Sequence, residues 1–159
     1  MSRERVLKIT IREAAIDDIA EIVRLRRSMY EDMRYNDAAA LQAMSTLTSE
    51  YLSIAIPEGS LCAWLASDSD RVIAGGAVLV TPGPAHPYDL ECRRATILNV
   101  YTDPGYRRLG IARQLMKTMI AWCKDKGFAR VTLHASDDGR HLYESLGFEP
   151  TNEMSLQLR

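Results

Sequence analysis

The sequence lacks most of the features that commit a small chain to a membrane, a disulfide scaffold or a nucleic acid. No run approaches the roughly 20 apolar residues needed to cross a bilayer. The opening Met1-Ser2-Arg3-Glu4-Arg5-Val6-Leu7-Lys8 has no continuous apolar stretch of the secretory kind. Cysteine is confined to Cys62, Cys92 and Cys123, an odd and widely spaced set without a Cys-x-x-Cys pair. That excludes a disulfide framework and a structural zinc, so no metal is expected and a reducing cytoplasm is the expected home. A basic excess is also missing. The net charge of −1 argues against a general nucleic-acid binder. No internal repeat, linker or low-complexity segment divides residues 1–159, which are expected to form one domain. With 47% apolar and 26% charged residues, the chain has an ordinary globular balance and can bury a single core.

The pattern of what is present is mixed α/β. Residues 8–12 alternate polar and apolar, as a half-buried strand does. Asp17 and Asp18 open a helix expected over 17–34, with Ile19, Ile22, Val23, Met29, Tyr30 and Met33 near one face. A second helical stretch, 45–56, is expected to end before Pro57-Glu58-Gly59. Strands at 61–66 and 72–80 form a hairpin around residues 67–70, and Gly75-Gly76 marks a bulge or a close backbone approach. After a proline-rich loop at 81–87 comes a fourth strand, 94–101. A helix follows from 110 to about 126, then a strand over 131–135 and a helix from Asp137 or Asp138 through Ser145. The segment from Phe148 onward, with Met154-Ser155-Leu156-Gln157-Leu158, is expected to close the chain as one or two strands. Met116 and Met119 read as helix core, and Met29 and Met33 either line an apolar acceptor pocket or pack in the core, with core packing the favoured reading.

Chemistry concentrates in Leu98-Asn99-Val100-Tyr101-Thr102-Asp103-Pro104-Gly105-Tyr106-Arg107-Arg108-Leu109-Gly110-Ile111-Ala112-Arg113. A strand feeds a turn, and the turn feeds a helix whose first residues are small. Free N–H groups of a helix's first turn attract anions. Gly110 and Ala112 let a bulky ligand approach the backbone, and Arg107, Arg108 and Arg113 add positive charge. The combination predicts a phosphate or pyrophosphate cradle. Neither the Gly-x-x-x-x-Gly-Lys-Ser/Thr loop nor Gly-x-Gly-x-x-Gly is present. The other arginine clusters, Arg24-Arg26-Arg27 and Arg93-Arg94, read as solvated surface.

Arg107-Arg108-Leu109-Gly110-Ile111-Ala112 resembles the Arg/Gln-x-x-Gly-x-Gly/Ala motif of the GNAT superfamily of N-acetyltransferases. Val100 to Arg107 resembles that family's strand and entry turn, and Leu142-Tyr143-Glu144-Ser145-Leu146-Gly147-Phe148 its second signature. Ile11-Arg12-Glu13-Ala14 with an Asp-started helix is also typical, so the resemblance covers nearly the whole chain. It implies a single mixed, mostly antiparallel sheet flanked by helices, with a splayed parallel strand pair that admits acetyl-CoA. By the same resemblance the main chain of Val100 and Thr102 binds pantetheine, and the amide near Val100 or Tyr101 polarises the thioester carbonyl. Backbone amides from Arg108 through Leu109, Gly110, Ile111 and Ala112 to Arg113 wrap the pyrophosphate. Tyr143 matches the tyrosine that protonates the departing thiolate. Ser136 stands nearest the family's pantetheine-touching Asn, and either replaces it or caps the following helix.

The acceptor side is less determined. Asn99 stands where some relatives keep a catalytic Glu and could only orient a water; His134 either faces the cleft as a base or is structural. Tyr30, Glu31 and Asp32 lie where relatives build the acceptor pocket, and the loop around His86 could cover it. The expected activity is acetyl transfer to a primary amine of a small molecule or amino acid. A protein lysine or N-terminal acetyltransferase and a non-catalytic acetyl-CoA-binding module are the alternatives. Neither a nucleic acid nor a membrane is an expected partner, and a homodimer paired through the C-terminal strands follows from family analogy alone.

Overall fold

The computed structural model describes residues 6–159. Residues 1–5, part of the segment read as having no leader, lie outside the described residues. The elements follow in the order β1 (Ile9–Glu13), α1 (Ile19–Asp32), α2 (Ala38–Glu58), β2 (Leu61–Asp68), β3 (Arg71–Pro82), β4 (Arg93–Thr102), α3 (Ile111–Asp125), β5 (Val131–Leu133) and α4 (Asp137–Ser145). One sheet takes the strands in sequence order. Neighbours from β1 to β4 are antiparallel, and β4 pairs β5 in parallel. This is the mixed, mostly antiparallel sheet that the family resemblance implies.

Both faces of the sheet are covered, and each has its own apolar cluster. Ile22 and Leu25 of α1 and Leu52 and Ala55 of α2 pack with Leu61, Ala63, Leu65, Ala77 and Tyr101. Ile111, Leu115, Met116, Met119 and Cys123 of α3, with Tyr143 of α4, pack with Trp64, Ile73, Val78 and Ile97. Burying such side chains contributes about 1.5–3 kcal/mol each before the cost of ordering them. Gly75 and Gly76 explain how two helices come so close to one strand. Successive strand residues point to opposite faces. A Cβ on Gly75 would stand 2.9 Å from Leu25 Cδ1, and one on Gly76 would stand 2.7 Å from Met119 Cε.

Two expectations require correction. The second helix begins at Ala38 rather than 45 and runs through Pro57. Asp37 caps it by accepting from the Ala40 N–H at 3.0 Å, and the alanines that follow are the strongest helix formers. Pro57 sits in the last turn, just before Gly59 ends the helix at φ 77°. The second correction concerns the chain's end. Residues after Phe148 form no strand, and Met154, Leu156 and Leu158 are 93%, 81% and 86% exposed. Alternation is a local property, whereas a strand needs a free edge brought beside it, and this segment lies along none.

Candidate functional site

The site begins with one extra residue in β4. Ala77 pairs with Leu98 and Gly75 with Tyr101, so Asn99 and Val100 together oppose Gly76. That is a β-bulge. Asn99 carries it at φ 59°, a left-handed conformation that Asn tolerates better than most residues. The bulge places Leu98 and Tyr101, three positions apart, in the same cluster, while Ile97 and Val100 pack on the opposite face. The sequence marked this place through Gly75-Gly76, although the extra residue belongs to the facing strand.

Beyond the bulge β4 leaves its parallel neighbour. Pairing with β5 covers only Ala95 to Ile97, ending at Ile97 opposite Leu133, while β4 continues to Thr102. The backbone edge from Leu98 onward therefore faces a wedge instead of a strand. Thr102 Oγ1 is buried there without a hydrogen-bond partner. The wedge is part of a cleft of about 1040 Å³, large by the standard of small-ligand sites.

The turn after β4 is firmly held. Asp103, 8% exposed, accepts from Arg24 Nη1 at 3.2 Å, and its own N–H donates to the Ile73 carbonyl at 2.8 Å. The Tyr106 hydroxyl donates to buried Asp68 at 3.1 Å. Gly110, at φ 78°, precedes α3 without any side-chain cap, and no atom lies within 4 Å of where its Cβ would be. The first N–H groups of α3 are thus left without a side-chain partner at the cap. Arg108 and Leu109 are exposed beside them, and Arg113 donates to Ser145 Oγ at 2.7 Å. Ile111 is a core side chain, so it can offer a ligand only its backbone. Arg107 is committed elsewhere: Nε donates to the Thr102 carbonyl at 2.9 Å and Nη2 pairs with Asp32.

From the other side α4 presents Tyr143. Ser136 caps this helix by accepting from the Gly139 N–H at 3.1 Å, and it also lines the cleft. Tyr143 is 9% exposed, and burial raises its phenol above the usual value of 10. A helical side chain leans back over the residue four positions earlier. That residue is Gly139, where a Cβ would stand 2.7 Å from the Tyr143 ring and 3.0 Å from its hydroxyl. Gly139 is a site residue that the sequence reading passed over. Its signal was a glycine inside a helix, which costs about 1 kcal/mol relative to alanine.

The acceptor candidates divide. Tyr30, Asp32, Asn99 and His134 line the cleft, together with Val100, Tyr101, Thr102, Arg107 and Ala112. Glu31 is outside it, with its carboxylate held by Arg27 Nε at 2.7 Å. His86 is also outside, on an exposed loop bridged to Asp89 through paired backbone bonds of 2.8 Å. Asp32 accepts from Arg107 and, at 3.3 Å, from the Tyr101 hydroxyl, whose pKa is raised by burial and then by this carboxylate. Arg26, read from the sequence as solvated, instead lines the cleft and donates to Asn99 Oδ1 and to the Tyr30 hydroxyl. Among the described residues no cluster of three or more His, Cys, Asp or Glu side chains is placed to hold a metal, and no helix is long and apolar enough to cross a membrane.

Comparison with known proteins agrees with this geometry. The family model described as "Acetyltransferase (GNAT) family" matches residues 19–148. Human N-acetyltransferase 8B is 31% identical over 123 residues, which are 76% of this chain and 51% of that protein. Human N-acetyltransferase 8 is 29% identical over 122 residues, 75% of this chain and 50% of that one. The chain therefore spans about half the length of these curated relatives. Among solved structures, a GCN5-related N-acetyltransferase from Ralstonia eutropha JMP134 superposes with a TM-score of 0.86 at 33% identity, covering 95% of this chain and 99% of that one. A predicted acetyltransferase with acetyl-CoA from Clostridium acetobutylicum has a TM-score of 0.86 at 25% identity, covering 96% of each chain.

Proposed function

Because the chain belongs to the acetyltransferase (GNAT) family, we propose that it transfers the acetyl group of acetyl-CoA to a primary amine of a small molecule or amino acid. The observation that carries this reading is the wedge: β4 runs on to Thr102 after its pairing with β5 has stopped at Ile97. The residues there fit the donor. An extended arm can take the free edge of Leu98 to Thr102 as an added strand would, and buried Thr102 Oγ1 lacks a partner. A pyrophosphate suits the uncapped start of α3 behind Gly110, with Arg108 beside it. The C. acetobutylicum neighbour, described with acetyl-CoA, supports the same donor.

Bound acetyl-CoA supplies an acyl group activated as a thioester. The main chain at Val100 and Tyr101 offers a fixed N–H donor to the acyl oxygen as negative charge develops on it. Tyr143 Oη holds a proton at the cleft and delivers it to the leaving sulfur. His134, exposed at the end of β5, takes the proton of the attacking amine through solvent. Asn99 is a positioning residue, holding the bulge and bonding to Arg26. The cytoplasm is the proposed setting. Cys62, Cys92 and Cys123 are free, and burial pushes the Cys123 thiol up to about 11, which leaves it inert.

The test is thiol release from acetyl-CoA in the presence of small primary amines. Tyr143→Phe is expected to lower kcat about 100-fold while acetyl-CoA affinity stays within about twofold. The wild-type pH profile rises as the amine deprotonates. Because the folded phenol titrates above 10, its alkaline limb lies beyond that pH and is absent from Tyr143→Phe. Undiminished turnover in the variant would remove Tyr143 from proton transfer.

A further inference from the structure

Resting on the small-amine reading above, we propose that the acceptor is an α-amino acid with an apolar side chain, and that Arg26 binds its carboxylate. The first observation is a charge account of α1. Arg24 pairs with Glu21 at 3.0 Å and Asp103 at 3.2 Å, and Arg27 pairs with Glu31 at 2.7 Å. Arg26, between them, has no carboxylate within 4.0 Å among the described residues, although it is half-buried on the cleft wall.

Its partners are neutral. Nη1 donates to Asn99 Oδ1, Nη2 donates to the Tyr30 hydroxyl at 3.3 Å, and the guanidinium lies 5.1 Å from the Tyr30 ring centroid. Nε is buried and bonds to nothing. Asp32 lines the same cleft, but Arg107 and Tyr101 occupy its carboxylate. A cation withdrawn from water without a counter-ion is costly, and a ligand carboxylate removes that cost while matching the planar fork of donors. The bond to Asn99 fixes where this happens. Asn99 sits at the β4 bulge, next to Val100, where the wedge opens.

The second observation is the surface around the guanidinium. Met29, Met33, Leu47, Tyr51 and Leu79 line the same cleft. Met33, Leu47 and Tyr51 are 52%, 64% and 46% exposed, an apolar wall left facing the opening. Methionine adapts its shape and makes favourable contacts with aromatic rings. An anion-binding head beside an adaptable apolar wall selects a carboxylate that carries an apolar group, and the amine is the nucleophile.

The experiment measures kcat/KM by thiol release with L-phenylalanine, L-phenylalaninamide, phenethylamine and L-aspartate. Wild type is expected to favour L-phenylalanine over the amide and phenethylamine by about 30-fold, the scale of a hydrogen-bonded charge, and to reject L-aspartate. In Arg26→Gln that preference falls to within about threefold, chiefly through a higher KM for L-phenylalanine, with Arg26→Lys regaining part of it. Calorimetry of L-phenylalanine into the coenzyme A complex gives the same ranking without turnover. Should Arg26→Gln not fold, Arg26→Ala takes its place, and a preference left unchanged in the folded variant overturns the assignment of Arg26. Equal use of phenethylamine and L-phenylalanine overturns the assignment of Arg26 and leaves the small-amine reading standing. Acetyl-CoA binding with no transfer to any small amine overturns both.

Discussion

Gly139 and Tyr143 show how a helix repeat positions a side chain in the cleft. The Tyr143 ring lies back across α4 over the residue one turn earlier, and only a hydrogen atom fits beneath it. Gly139→Ala is therefore expected to lower the rate with little change in stability, the gain in helix propensity offsetting the displaced ring. Alanine is the better helix former by about 1 kcal/mol, so the melting temperature should hold within a few degrees. The displaced hydroxyl should lower kcat about tenfold while acetyl-CoA affinity is retained. Thermal melting and thiol release on one preparation check both; an unaltered kcat would mean that the ring's position is unimportant. Tyr143 was legible in the sequence because its flanking residues are distinctive. Arg26 was not, because its neighbours on the chain, Arg24 and Arg27, serve ordinary ion pairs. Nothing local says that Arg26 alone turns to the cleft.

At the level of elements, the order of strands and helices followed from periodicity and punctuation. The two features that matter most to the site depend on pairing instead. Gly75-Gly76 signalled a disturbance, but only the partner register shows that Asn99 and Val100 hold the extra residue. The same limit explains the tail, where alternation was visible and the absence of a pairing partner was not. The glycines themselves have unequal tolerance. A Cβ on Gly75 would meet the Trp64 carbonyl oxygen at 3.1 Å and fully buried Leu65 at 3.2 Å, besides Leu25. On Gly76 the nearest obstacle is the mobile end of Met119. Gly75→Val is expected to cost about 1–3 kcal/mol by overpacking, and Gly76→Ala less than that, because the methionine can swing aside. Denaturant unfolding measures the pair, and the reverse order would contradict the packing described here.

Across the whole molecule, the bulge, the wedge and the two helix pairs form one arrangement. α1 and α2 wall the cleft on one face with Arg26 and the exposed apolar side chains, while α3 and α4 bring the uncapped helix start and Tyr143 from the other. In the proposed function the donor and acceptor sides meet where β4 and β5 part. In that same proposal this parting, with the start of α3 below it, holds acetyl-CoA. Gly110→Asp tests it: its Cβ meets no atom within 4 Å, aspartate tolerates the left-handed φ of 78° better than most residues, and the added carboxylate repels a pyrophosphate. The decisive measurement is isothermal calorimetry of acetyl-CoA and coenzyme A against wild type and this variant, with the fold of each checked by circular dichroism. Wild type should bind both ligands with micromolar or tighter affinity, and Gly110→Asp should lose at least about 100-fold. A folded wild type that binds neither, or a variant that binds as well as wild type, would rule out this site for acetyl-CoA.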